Sequence, residues 1–177
     1  QVTLGVTVED TSAVSLNTIR LSIFFGLLFL FIAAEFIFPW RKRRITRSQR
    51  WLQNLVLTIS NTVVARLTLG TVPLMVSYWV AEQQIGLLQL WELPVWLVAI
   101  CTYVLLDLMI YLQHLMFHAT PLLWRLHKVH HSDPDLDVTS GFRFHPMEII
   151  LSLAIKTAGI MVLGANPLGV MIFEILL

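Results

Sequence analysis

The chain has 177 residues, 56% of them hydrophobic and 13% charged, with a mean hydropathy of +0.75. Soluble domains carry roughly 25% charged residues, so this composition excludes an ordinary soluble globule and places the chain in the membrane class. The net charge of +1 says little as a total, and the lone Cys101 excludes a disulfide framework or a cysteine-rich metal site.

Residues 1–18 are polar and slightly acidic and read as an extramembrane lead-in. The run IRLSIFFGLLFLFIAAEFIF, 19–38, has the ~20 apolar residues a spanning helix needs. It is too long for a signal sequence and lacks a cleavage site. PWRKRRITRSQR, 39–50, then places six Lys or Arg between Arg41 and Arg50. A nucleic-acid patch is one reading of that run. A topology signal beside a span is the better one, because Lys and Arg accumulate on the cytoplasmic side. The same residues suit anionic lipid headgroups.

From Trp51 to Ala81 the chain is apolar again, interrupted by Arg66, Gly70 and Pro73. One kinked span and a span followed by an interfacial piece both fit. The linker 82–94 contains Glu82 and Glu92 but no cation, and 94–112 is the next span. After the polar stretch 113–146, residues 147–164 and 166–177 read as a helical hairpin. The chain ends inside the apolar run GVMIFEILL, without the polar flank that usually closes a span, so it reads as a fragment of a longer protein. The expected architecture is an all-α membrane bundle of about four spanning helices, since open sheets cannot span lipid. Counting crossings from Arg41 puts the polar stretch 113–146 on the cytoplasmic side.

All six histidines lie in that stretch. His114 and His118, four apart at a helix end, share one face, a spacing at which two imidazoles can bind one metal. Asp107, two turns earlier, is a costly intramembrane carboxylate that could orient a liganding imidazole through its other ring nitrogen. His127, His130 and His131 lie at i, i+3 and i+4 if helical, with the last two diverging by about 100° so that each could serve a different metal. His145 precedes Pro146, which opens the next helix. Taken alone, His145 reads as a cap or headgroup contact, and His114/His118 as either a metal pair or a polar rim. Six histidines in three spaced groups have no packing rationale and point to metal. Trp124, Phe142 and Phe144 read as interfacial or pocket packing, and DPDLD, 133–137, as a solvated turn.

Six imidazoles exceed the four ligands of a closed zinc site and suggest two ions. Ligand type leaves zinc and iron both open. Location favours iron: a site at the lipid interface can meet an apolar substrate from the bilayer, and unactivated C–H bonds call for a metal–oxygen oxidant.

The motifs HxxxH at 114–118, HxxHH at 127–131 and RFHP at 143–146, at these intervals, resemble the fatty acid hydroxylase superfamily, the sterol desaturase-like membrane proteins. The resemblance spans about 94–177, a judgement of motif specificity. It implies a membrane di-iron enzyme that uses O2 and electrons from a donor protein to hydroxylate or desaturate a lipid, with zinc as a substitute ion in a preparation. It implies metal ligation by His114, His118, His127, His130 and His131, and matches His145 to a further family histidine, expected as a sixth ligand. It also implies more histidines after the hairpin, beyond Leu177, and favours a bacterial inner membrane over the endoplasmic reticulum. The rival reading is a metal-binding membrane protein or metal-ion transporter without redox catalysis.

Overall fold

The computed structural model describes residues 8–39, 42 and 44–176, and among them every regular element is helical. Two compact units divide the chain, residues 1–42 and 43–177. The first holds α1, Val8–Ile37, whose stretch Leu21–Ile37 is apolar. Residues 8–18 of the expected lead-in form the first turns of this helix, while 1–7 lie outside the described residues.

In the second unit, the predicted span 51–81 is two helices in series, α2 (Arg47–Leu67) and α3 (Val72–Glu82). The chain breaks where Gly70 donates its N–H to the Ala65 carbonyl at 2.7 Å and Pro73 stands in the first turn of α3. Proline is tolerated there because its missing N–H would have had no helical partner. A single 3-10 turn at Leu87–Leu90 leads into α4, Val95–Ala119. α4 stops before Pro121, which opens α5, Pro121–His127. Two 3-10 turns, His130–Ser132 and Val138–Phe142, lead to the hairpin α6 (Pro146–Leu163) and α7 (Pro167–Leu176). Among the described residues three stretches are long and apolar enough to cross a membrane: Arg47–Leu90, Val95–Ala119 and Pro146–Leu163.

α6 packs against α2, α3 and α4, and α7 closes on α3 and α4. The core where they meet is Val80, Leu106, Ile160, Ala165, Val170 and Phe173. Two glycines let α6 end against the chain leaving α3. Gly164 caps α6 in the left-handed region at φ +65°, and Gly86 has φ +108°. A Cβ on Gly86 would lie 2.2 Å from the Gly164 nitrogen, so both the conformation and the contact require glycine. Gln89 Nε2 completes the join by donating to the Gly164 carbonyl at 2.9 Å. Across the same end, the Thr102 hydroxyl accepts from the Asn166 N–H at 3.0 Å.

α2 is turned polar side in. Arg50, Asn54 and Asn61 are buried, while Leu52, Leu55, Val56, Ile59 and Val63 are exposed. A soluble helix does the reverse, and the inversion fits a helix whose outer face meets lipid tails.

Candidate metal centre

The site forms at the end of the bundle where α4 finishes and α6 begins. The last turns of α4 present His114 and His118 on one face, with their Nε2 atoms 3.1 Å apart. The Thr120–Pro121 corner reverses the chain, and α5 ends by delivering His127 to the same place. The following 3-10 turn brings His131 Nε2 to 3.2 Å from His127 Nε2. One nitrogen from each of these four rings lies within 4.8 Å of all the others.

That donor set fits one ion. Metal–nitrogen bonds of about 2.0–2.1 Å allow two nitrogens on one ion to be up to ~4.2 Å apart, so the widest pair needs to contract by at most about 0.6 Å. His127 is the buried member, 1% exposed, whereas His114, His118 and His131 form an open rim. Its Nδ1 lies 2.6 Å from Glu148 Oε1 in the first turn of α6. Donation of the Nδ1 proton to that carboxylate leaves the Nε2 lone pair facing the other three rings, as ligation requires. Burial, then the charges of neighbouring His131 and His118, push the His127 pKa down to about 4. The ring is therefore neutral at neutral pH and able to bind metal. Trp124 walls one side, its ring 5.3 Å from His118 and 5.6 Å from His131.

The two remaining histidines have other surroundings. His130 stacks on Phe144 at 4.6 Å with the planes 4° apart, and its ring centre is 5.5 Å from that of His127. Its Nδ1 is buried without a hydrogen-bond partner, as is Glu148 Oε2. Burial, then the charge of His131, lowers the His130 pKa. His145 caps α6, its Nδ1 accepting the Met147 N–H at 3.1 Å. Asp107 is exposed on α4 and hydrogen-bonds none of the histidines; the carboxylate that does orient a ring is Glu148. The cost of an intramembrane acid, which marks Asp107 in the sequence, applies equally to Glu148, three residues after His145.

DPDLD is not a solvated turn. Asp133 and Asp135 are buried, and Arg50 forks onto Asp133 with Nε–Oδ1 2.7 Å and Nη2–Oδ2 2.9 Å. Arg50 Nη1 reaches Asp137 at 2.9 Å, and Nη2 also donates to the Asp135 carbonyl. The backbone N–H groups of Arg44 and Ile45 bind the Asp135 carboxylate at 2.8 and 2.9 Å. Burial alone would raise the Asp133 pKa, but hydrogen bonds from Ser140, Arg50 and Asn54 outweigh it and hold the group below the usual carboxylate value. Asp135 is lowered chiefly by the Ile45 N–H.

The fold and the site together define a helical protein with helices long and apolar enough to cross a membrane and, at one end of its bundle, a group of four histidines that could hold a metal ion. Residues 99–177 match the family model described as fatty acid hydroxylase, the superfamily that the three histidine motifs resemble. The matched segment contains every histidine and the α6–α7 hairpin, and leaves out α1, α2 and α3. No curated protein and no solved structure matches the chain.

Proposed function

We propose that this protein is a membrane oxidoreductase of the iron- and O2-dependent kind that hydroxylates or desaturates a lipid. The observation that carries the reading is the four-imidazole group His114, His118, His127 and His131, gathered within 4.8 Å at the end of apolar helices. These rings would hold one iron ion. His130 Nδ1 and Glu148 Oε2, both buried without a hydrogen-bond partner, would be candidate donors for a second. Iron with O2 and electrons from a donor protein supplies the oxidant that an unactivated C–H bond demands.

The residues of the chain contribute order and access. Glu148 holds the proton of His127 on Nδ1, which keeps its Nε2 bare. His114, His118 and His131 line the open side of the group, next to the exposed Leu115, Met116 and Leu122. In this proposal an alkyl chain of the bilayer approaches that open side, where the Trp124 ring stands beside His118 and His131. Placing the histidines at the cytoplasmic face follows from the Arg41–Arg50 run and gives a soluble electron donor access. A transporter would place its ligands near mid-membrane on broken helices, whereas these cluster at one bundle end, which supports the enzyme reading.

Protein reconstituted with iron in lipid nanodiscs should consume O2 and yield oxidised lipid only when a reductant is supplied. Retention of that activity in a His127→Ala, His131→Ala double variant that has lost its metal would overturn the reading. Vesicles in which metal crosses the membrane without lipid oxidation would favour transport instead.

A further inference from the structure

The buried polar stripe of α2 has no part in the histidine group, yet its contacts end beside it. Arg50, Asn54 and Asn61 stand four and seven residues apart, and eleven residues is close to three full helical turns, so they share one face. They are the buried residues of α2, in a helix that otherwise turns apolar side chains outward. Each reaches the segment that follows the HxxHH motif, Arg50 and Asn54 meeting at Asp133.

Arg50 holds Asp133 and Asp137, and the Ser140 hydroxyl lies within reach of its Nη2 at 3.3 Å. Asn54 donates to Thr139 Oγ1 at 2.9 Å and to Asp133 Oδ2 at 3.3 Å. The Asn54 carbonyl oxygen accepts from Arg143 Nη1 at 3.1 Å. Arg143 in turn donates through Nε to the Val129 carbonyl at 3.0 Å and to Ser132 Oγ at 3.1 Å. Val129 and Ser132 bracket His130 and His131. Asn61 donates to the Phe144 carbonyl at 2.9 Å, and the Phe144 ring is the one stacked on His130. Arg50, Asn54 and Asn61 hydrogen-bond none of the histidines, so their influence on the group runs through the loop.

We infer that Arg50 and Asn54 of α2 are positioning residues for the metal centre, fixing the His130–His131 turn through Asp133 and Arg143. The inference rests on the metal-centre reading and extends the centre to a helix outside residues 99–177. A turn of three residues in 3-10 form has little rigidity of its own, and ligand geometry must be fixed from outside it. Arginine suits the task because its planar fork engages the Asp133 carboxylate through two parallel bonds, which a lysine cannot do.

The test is cobalt(II) titration of the metal-free full chain in nanodiscs, read by visible absorption, with helicity and thermal midpoint measured alongside. Arg50→Gln should keep its helicity but bind cobalt about 10- to 100-fold more weakly, the range seen when residues supporting metal ligands are lost. It should also shift the cobalt bands, which report ligand geometry. Arg50→Lys should fall between it and the parent. Lys156→Met, which breaks a partly buried ion pair with Glu174 elsewhere in the bundle, should lower the thermal midpoint and leave cobalt affinity within about twofold, the comparison that separates positioning from general stability. Cobalt binding by Arg50→Gln as tight as the parent's, with unshifted bands, would overturn the inference and leave the metal-centre reading standing. Absence of cobalt binding by the parent chain would overturn both. Should Arg50→Gln fail to fold, Asn54→Ala decides: it spares the arginine–aspartate pair and removes the anchor of Arg143. A several-fold loss of affinity there supports the inference, and parent-like affinity overturns it.

Discussion

The two nitrogens of His127 face different chemistry. Nδ1 meets a carboxylate at 2.6 Å and Nε2 meets another imidazole at 3.2 Å, so one side of the ring is committed and the other is left to a metal. Removing the carboxylate frees both the tautomer and the ring torsion. Glu148→Gln keeps the shape but offers an amide that either donates or accepts, and Glu148→Ala offers nothing. Metal affinity should fall about tenfold for the first and closer to 100-fold for the second, measured by competition with a chelator of known strength. The spacing of His114 and His118 was legible because helical period alone puts residues four apart on one face. His145 counts among the expected metal ligands, and its place as the cap of α6 is one that Pro146 signals only for the residue taken alone. The buried fate of Asp133 was not: an acidic turn and an arginine in a basic run each have an ordinary solvated reading, and only the fold brings them within 2.7 Å.

At the scale of elements, Arg66, Gly70 and Pro73 marked the interruption in 51–81 but left a kinked span and a span with a second piece both open, because each residue is tolerated in a membrane helix. The break is set by packing: α3 must turn to lie along α6 and α7, and the linker after it must pass Gly164 at backbone contact distance. Gly86→Ala therefore introduces a Cβ into backbone and also a positive φ that a side chain resists. We expect a loss of more than about 2 kcal/mol, from the close contact together with the strained backbone. Gly141→Ala, in open space, should be close to neutral by the same denaturation measurement.

For the whole molecule, acid should act in two stages on the metal-free protein. His127 has its pKa lowered from 6.5 to about 4, so the folded state takes up its proton later than the unfolded chain. The stability that depends on its neutrality is complete above pH 6.5 and is lost as the pH falls from there toward 4. Asp133, Asp135 and Asp137 are all held below their ordinary value of 3.8, so their contribution persists through that range and disappears only at still lower pH. Thermal midpoints between about pH 3 and 8 should show both stages, and His127→Gln should weaken the upper one, which His130 shares, while leaving the lower one in place. A single transition near pH 4 in both proteins would count against the neutral, buried state of His127.

The imidazoles of the four-ring group come from eighteen consecutive positions, 114–131, while the arginine that braces the next turn is 83 residues upstream of its aspartate. Ligands so close in sequence can meet as soon as α4 and α5 have formed, but the brace engages only after α2 returns to the loop. Contacts across long separations form late, because the chain must first lose the entropy of closing the loop. With Arg50 as the brace inferred above, metal capture would be tied to the completion of the bundle: a chain that has inserted its helices without docking α2 would hold a loose set of imidazoles, and tight binding would mark the molecules that have finished folding.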